Sequence, residues 1–256
     1  MKCPGNHILK YADDTYLIIP AANVKSCPAE ITNIETWACN NNLRLNHSKS
    51  LEIIFVNPRS RIKAAVPTST VSGFTQVEDV KILGVTFSRR FSVSRHVNDL
   101  LSRCSQSLFA LRTLRQHGLP ADALQVVFQA IVVNKLSYAS PAWWGFATAD
   151  DQNRLEAFLR RSTKLGYRGS SMPTFASLCE GADERLFYQV TNDTRHLLHP
   201  LLPPRRDRHY SLRQRVHDFE LPDRTLELKN KNFLMRMLFK QDGCSTTLCS
   251  SSISQS

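Results

Sequence analysis

Residues 8–20 read Ile8-Leu-Lys-Tyr-Ala-Asp-Asp-Thr-Tyr-Leu-Ile-Ile-Pro20, two short apolar runs that flank an acidic pair. The apolar runs favour strands, whereas Asp is poor inside a strand and common in a tight turn. The stretch therefore predicts a β-hairpin with Asp13 and Asp14 at its exposed tip. An acidic pair is also an ordinary turn signal, so this pattern alone leaves a plain turn and a chemical site both open.

The residues after the hairpin predict one helix and further strands. The helix is expected over 26–41, with Pro28 in its first turn. Strands are expected over 51–56 and 80–87, with a weaker extended piece over 66–71. A hairpin, a helix and more strands make an α+β unit.

Helical spacing of apolar residues begins near Val93 and continues through the second half of the chain. It predicts helices over 93–118, 120–138 and 148–166, shorter ones over 174–180 and 183–198, and one over 226–240. The pattern divides the chain into four regions. These are a sheet-bearing region 1–90, a helical region 91–199, a basic extension 200–242 and a Ser-rich tail 243–256 that we expect to be disordered.

Composition limits the class of protein. The 256 residues contain 42% hydrophobic residues, enough for a core, and 33 Lys and Arg against 22 Asp and Glu, a net charge of +11. No apolar run approaches the roughly 20 residues of a membrane-spanning helix, and the amino terminus has no signal-peptide pattern. We therefore expect a soluble, intracellular protein with no membrane partner. The positive charge indicates a polyanionic partner such as nucleic acid, with plain solubility as the alternative.

The seven cysteines do not indicate a metal site. Their number is odd, their spacing is irregular, and no C-x-x-C pair occurs. Structural zinc needs four ligands that arrive in close pairs, so this pattern argues against zinc. We expect the cysteines to be buried reduced thiols.

The acidic pair suits a divalent cation. Two adjacent carboxylates repel each other, and a bound cation relieves that repulsion. Carboxylate oxygens are ligands that Mg²⁺ prefers, and bound Mg²⁺ keeps positions open for substrate phosphates. A site for phosphoryl chemistry is therefore the functional alternative to a plain turn.

Three stretches resemble, in order, motifs of reverse transcriptases from non-LTR (LINE-type, jockey or CR1-like) retrotransposons. Tyr11-Ala-Asp-Asp14 resembles the Tyr-x-Asp-Asp motif, and Asn42-Leu-Arg-Leu-Asn-His-Ser-Lys-Ser-Leu-Glu-Ile-Ile-Phe55 resembles the fourth palm motif. Lys81-Ile-Leu-Gly-Val-Thr-Phe87 resembles the fifth motif, the primer-grip hairpin, and residues 96–198 resemble the thumb region. The resemblance spans about residues 8–240. It implies an α+β fold in which a partial polymerase palm precedes a helical thumb-like bundle.

The resemblance also implies residue roles, a Mg²⁺ cofactor, and an RNA template and DNA primer as partners. Two metal ions would clamp the attacking hydroxyl and the leaving pyrophosphate. The implied metal ligands and catalytic residues are Asp13, the principal ligand, and Asp14, with Lys49 near the nucleotide phosphates. The implied primer contacts are Tyr11, Leu83 and Gly84. From the residues alone, Lys49 could equally be an exposed loop lysine, Tyr11 a core aromatic, and Leu83-Gly84 an ordinary turn.

The chain also departs from this family. Its relatives carry the other catalytic aspartate before the Tyr-x-Asp-Asp hairpin, and only Met1–His7 precede the hairpin here. We therefore expect the carboxy-terminal part of such a polymerase, with weak or absent Mg²⁺ binding and no polymerase activity alone. The alternative is a non-catalytic module whose helices hold RNA or DNA without reading sequence. A fragment that binds only another protein ranks last, because it leaves the basic helices unexplained.

Overall fold

The computed structural model describes residues 3–56, 73–205, 217–223 and 227–240, which form an α+β fold. The chain divides into two compact units. Unit 1 comprises Met1–Val80 and Ser88–Arg90, and unit 2 comprises Lys81–Phe87 and Phe91–Ser256. The predicted boundary at residue 90 therefore differs from this division at 81–87, because Val85 is buried in the core of unit 2. The predicted tail 243–256 and extended piece 66–71 lie outside the described residues.

Unit 1 begins with an antiparallel hairpin of β1 (His7–Tyr11) and β2 (Asp14–Ile18). A 3₁₀ turn, Ala21–Ser26, leads into α1 (Cys27–Asn40), and β3 (Leu51–Glu52) pairs in parallel with β4 (Thr75–Gln76). The prediction of a strand over 51–56 is wrong beyond Glu52. The amide of Val56 donates instead to the carbonyl of Arg89, 2.9 Å away, so the backbone has left the ladder with β4.

The described part of unit 1 buries few apolar side chains. Ala38 is its only buried apolar residue there, whereas Tyr11 is 64% exposed and Trp37 is 51% exposed. A buried carboxylate also holds this unit together. Oε1 of Glu30 accepts hydrogen bonds from the Cys3 amide (2.9 Å) and the Asn6 side chain (3.1 Å). Hydrogen bonds therefore replace some of the hydrophobic packing that an α+β unit normally has.

A second hairpin consists of β5 (Asp79–Ile82) and β6 (Val85–Ser88). The apolar pattern predicted one strand over 80–87, and that prediction is wrong. Leu83 and Gly84 have φ values of 45° and 91°, left-handed conformations that reverse the chain between the two strands.

Unit 2 is helical after this hairpin. Its first helix, α2, spans Ser94–Gln116, and its second is continuous through α3 (Ala121–Val127), a π-helical segment (Phe128–Val133) and α4 (Asn134–Ser137). The remaining helices are α5 (Ser140–Trp143), α6 (Ala149–Lys164), α7 (Phe175–Asn192), α8 (Glu227–Lys231) and α9 (Phe233–Lys240).

Two helix predictions differ from the structure. The two short helices expected over 174–180 and 183–198 are one helix, α7, which ends at Asn192, so the prediction is wrong over 193–198. It passes through Gly181 because Cys179 and Phe187 on either side are buried. The helix expected over 226–240 is two helices, because the side chain of Asn232 accepts a hydrogen bond from the Met235 amide (2.9 Å) and caps α9.

Unit 2 buries two groups of apolar side chains. The larger group draws on β6, α2 and the helices up to α7, with Trp143, Leu155 and Leu159 fully buried in it. The smaller group joins α7 to α9 through Phe187, Val190 and Met237. No helix among the described residues is long and apolar enough to cross a membrane.

Candidate functional site

The β1–β2 turn presents the two predicted carboxylates. Tyr11 pairs with Asp14 as the last pair of the hairpin, so Ala12 and Asp13 form the turn itself. Asp14 is therefore the first residue of β2 rather than a turn residue. Ala12 has a φ of 51°, which an L-residue with a side chain rarely adopts. Such local strain is often found at functional turns.

The carboxylates of this turn face solvent. Asp13 is exposed, and its side chain makes no hydrogen bond within the described residues. Asp14 is exposed as well, and its Oδ2 accepts a hydrogen bond from the hydroxyl of Tyr16 at 3.4 Å. Among the described residues, no group of three or more His, Cys, Asp or Glu side chains could hold a metal ion. The turn thus offers two carboxylates, a donor type that suits Mg²⁺ but supplies only part of a coordination shell.

Lys49 lies apart from this turn. It ends the 3₁₀ turn His47–Lys49, where its backbone amide donates to Oδ1 of Asn46 at 3.2 Å. Its side chain is exposed, and no hydrogen bond or ion pair within the described residues joins it to Asp13 or Asp14. Sequence reasoning missed a second lysine, Lys10, whose Nζ lies 5.2 Å from the ring centre of Trp37.

The Leu83–Gly84 turn lies in unit 2 and contacts Tyr138. The hydroxyl of Tyr138 donates a hydrogen bond to the carbonyl oxygen of Leu83 at 3.1 Å. A Cβ atom at Gly84 would lie 3.1 Å from Cε1 of the same ring, so glycine is needed there for space as well as for its φ of 91°. The stretch that begins at Tyr138 is part of the thumb resemblance, but its contact with Leu83 was not predicted, because 55 residues separate the two.

His96 ties β6 to α2. Its Nδ1 accepts a hydrogen bond from the Thr86 amide at 3.5 Å, and its ring meets that of Trp143 edge-on at 5.3 Å. Its Nε2 is buried without a hydrogen-bond partner within the described residues. Burial lowers the pKa of His96, with Asp99 opposing the shift and Arg103 and Lys81 adding to it.

A buried ion pair lines a cavity of about 450 Å³ beside α9. Nη1 of Arg236 donates to Asp183 at 2.6 Å, and Nη2 donates to Asp183 at 3.3 Å and to the carbonyl of Pro141 at 3.2 Å. Trp144 and Lys240 also line this cavity. The partners lie 53 residues apart and follow no local pattern, so nothing in the sequence indicated the pair.

Basic residues dominate the helical part of unit 2. The segment 81–168 contains 13 Lys and Arg against 5 Asp and Glu. Several of these cations are exposed on α2 and α6, namely Arg103, Arg112, Arg160, Arg161 and Lys164. A phosphate backbone is the kind of ligand that such exposed cations bind.

The prediction of buried cysteines is correct for only two of the described residues. Cys104 and Cys179 are buried, which raises their pKa to about 11 and about 12. Cys39 is exposed, and Cys3 and Cys27 are partly exposed. The remaining two, Cys244 and Cys249, lie outside the described residues.

The structure brings some predicted site residues together and separates others. Tyr11, Asp13 and Asp14 lie at the end of one hairpin, Lys49 occupies a turn elsewhere in the same unit, and Leu83 and Gly84 belong to the other unit. Comparisons with protein-family models, with curated proteins and with solved structures find no match for this chain.

Proposed function

We propose that this chain carries the carboxy-terminal palm and thumb elements of an RNA-directed DNA polymerase of the non-LTR retrotransposon type. One observation carries the proposal. The β1–β2 turn exposes two adjacent carboxylates, Asp13 with no side-chain hydrogen bond within the described residues and Asp14 with one. An acidic pair also occurs in ordinary surface turns, but two adjacent carboxylates repel each other, and a bound divalent cation relieves that repulsion.

The order of elements supports the same proposal. The acidic hairpin is followed by α1, the short β3–β4 pair and a second hairpin with the Leu83–Gly84 turn, and the elements after that hairpin in the described residues are helices. That order agrees with the sequence motifs that resemble the fourth and fifth palm segments and the thumb.

Each proposed residue has a defined part in nucleotidyl transfer. Asp13 and Asp14 would hold Mg²⁺, which, when bound, neutralises charge on the phosphates and activates the attacking hydroxyl. Lys49 would meet the phosphates of the incoming nucleotide as a single positive charge. Tyr11 and the Leu83–Gly84 turn would contact the primer strand, and the partners would be an RNA template and a DNA primer.

A two-metal site needs more ligands than this turn offers. Two carboxylates cannot fill the coordination shells of two Mg²⁺ ions, each of which takes six oxygen ligands. In the proposed function, the opposing ligands come from polypeptide outside the described residues. The chain by itself is therefore expected to bind Mg²⁺ weakly and to show no polymerase activity.

Primer extension on an RNA template with Mg²⁺ tests the proposal. We expect no extension by the 256-residue chain, and extension by a longer protein whose added polypeptide supplies the opposing carboxylate ligands. In that longer protein, Asp13→Asn should abolish extension, whereas Asp150→Asn, which removes the same charge from an exposed helix residue, should not. Extension by the chain alone would disprove the need for outside ligands, and an inactive longer protein would contradict the polymerase assignment.

A second candidate function is sequence-independent nucleic-acid binding by unit 2 without catalysis. The excess of exposed cations over 81–168 favours it, because phosphate contacts need neither a metal nor the acidic turn. Binding of RNA or DNA that is unchanged by Asp13→Ala, together with an inactive longer protein, would select this function over the first.

A further inference from the structure

The Leu83–Gly84 turn is held by one aromatic side chain. The hydroxyl of Tyr138 donates to the Leu83 carbonyl at 3.1 Å, and a Cβ atom at Gly84 would lie only 3.1 Å from the Tyr138 ring. Both residues of the turn therefore contact Tyr138. Because both adopt left-handed φ values, the turn is conformationally demanding and gains from a contact that fixes it.

Tyr138 is itself fixed at its backbone. Its carbonyl accepts a hydrogen bond from the indole Nε1–H of Trp143 at 3.0 Å, and Trp143 is fully buried. The next residue, Ala139, has a φ of 50°, so the chain bends sharply between α4 and α5 at this point. The bend and the buried indole together direct the tyrosine toward the hairpin.

The side chain of Tyr138 is not part of the core. It is 57% exposed, and the neighbouring Leu83 is 43% exposed. A tyrosine that served only to fill the core would be buried. The ring instead lies at the surface of unit 2, where it contacts a turn that is also open to solvent.

We infer that Tyr138 is the positioning residue that holds the Leu83–Gly84 turn in the conformation that contacts a primer strand. This inference rests on the proposed function, which assigns the turn to the primer. Val85, buried next to the turn, and Thr86, bonded to His96, anchor β6 independently. Loss of the Tyr138 hydroxyl should therefore loosen the turn and leave the rest of the hairpin in place.

The test compares Tyr138→Phe with Tyr188→Phe in the full chain. Tyr188 is a matched control, because it is 70% exposed on α7 and its hydroxyl makes no hydrogen bond within the described residues. Two quantities are measured. The first is amide hydrogen exchange over residues 83–86, and the second is the affinity for a labelled DNA primer annealed to RNA with a recessed 3′ end, relative to a blunt hybrid duplex of the same length.

We expect Tyr138→Phe to speed exchange at the turn about five- to tenfold, as the loss of one net hydrogen bond would. It should weaken binding of the recessed end severalfold while leaving the blunt duplex unchanged, whereas a purely structural defect would weaken both equally. Gly84→Ala, which forces a Cβ against the ring, should give the same binding defect, and the two changes together should not add.

Three results would count against the inference. Unchanged exchange in Tyr138→Phe would show that the hydroxyl does not hold the turn. Faster exchange with unchanged recessed-end binding would show that the turn does not contact the primer. If the unmodified chain bound neither substrate, the proposed function would fail, and the exchange result would show separately whether Tyr138 fixes the turn.

Discussion

His96 is the residue whose environment most directly links pH to stability. Its pKa is lowered by burial, so the folded protein holds it neutral, with Nδ1 accepting from Thr86. The unfolded chain, with an ordinary histidine pKa near 6.5, takes up the proton first as the pH falls. Stability is therefore full above about pH 6.5 and declines below it, by at most about 1.4 kcal/mol per pH unit for one proton.

Chemical denaturation at several pH values measures this effect. We expect the free energy of unfolding to fall between pH 7.5 and pH 5.5 in the wild type, and the decline to be smaller in His96→Leu. The matched control is His117→Leu, which changes an exposed histidine at the end of α2 and should keep the wild-type slope. An identical slope in His96→Leu would assign the pH dependence to other groups.

The cysteines give a second prediction at the residue scale. A thiol reacts as its thiolate, and the pKa values of about 11 for Cys104 and about 12 for Cys179 leave almost none at pH 8. We expect iodoacetamide at pH 8 to modify the exposed Cys39 and to spare Cys104 and Cys179 until the protein unfolds. Mass spectrometry of the digested protein identifies the modified sites, and early labelling of Cys179 would contradict the packing around α7.

At the scale of single elements, α6 shows how a local signal and a distant contact combine. Thr148 accepts a hydrogen bond from the Asp151 amide, and the Asp151 carboxylate accepts hydrogen bonds from the Thr148 amide and hydroxyl, so Thr148 caps α6. The sequence could not reveal that Oδ2 of Asp151 also accepts from the hydroxyl of Ser94, 2.7 Å away on α2. The carboxylate that caps α6 thus also joins α6 to α2.

Substitution of this carboxylate should therefore cost more than an ordinary cap. We expect Asp151→Ala to lower the free energy of unfolding by about 2–3 kcal/mol, because it leaves the Thr148 and Ser94 hydroxyls without their acceptor. Thr148→Ala should cost about 1 kcal/mol. Asp150→Ala, one residue earlier and exposed, should change stability by less than about 0.5 kcal/mol. Equal costs for the two aspartates, measured by urea denaturation, would refute the shared role.

Across the whole molecule, the features that the sequence predicted are those with local causes. The acidic hairpin, α1, α2 and α6 follow from turn residues, apolar spacing and helix stops within a few positions of each other. The contacts between Tyr138 and Leu83 and between Arg236 and Asp183 join residues more than 50 positions apart, and no periodicity specifies them. The predicted gap between helices over 174–180 and 183–198 is wrong, because burial on either side of Gly181, and not local propensity, decides the helix.

The excess of cations over 81–168 leads to a prediction for the whole chain. If unit 2 binds nucleic acid through phosphates, affinity should fall linearly on a log–log plot against salt, with a slope of about −4 to −5 for about five neutralised phosphates. Changing Arg160 and Arg161 together to Gln should reduce that slope by about 2.

The control is Arg195→Gln, 92% exposed and outside this segment, which should leave the slope unchanged. Fluorescence anisotropy with double-stranded DNA between 50 and 200 mM salt gives the slopes. A slope near zero would show that the chain does not bind nucleic acid electrostatically, which contradicts both candidate functions. An equal change of slope in the Arg160/Arg161 variant and in the Arg195 control would show that Arg160 and Arg161 do not form the binding surface.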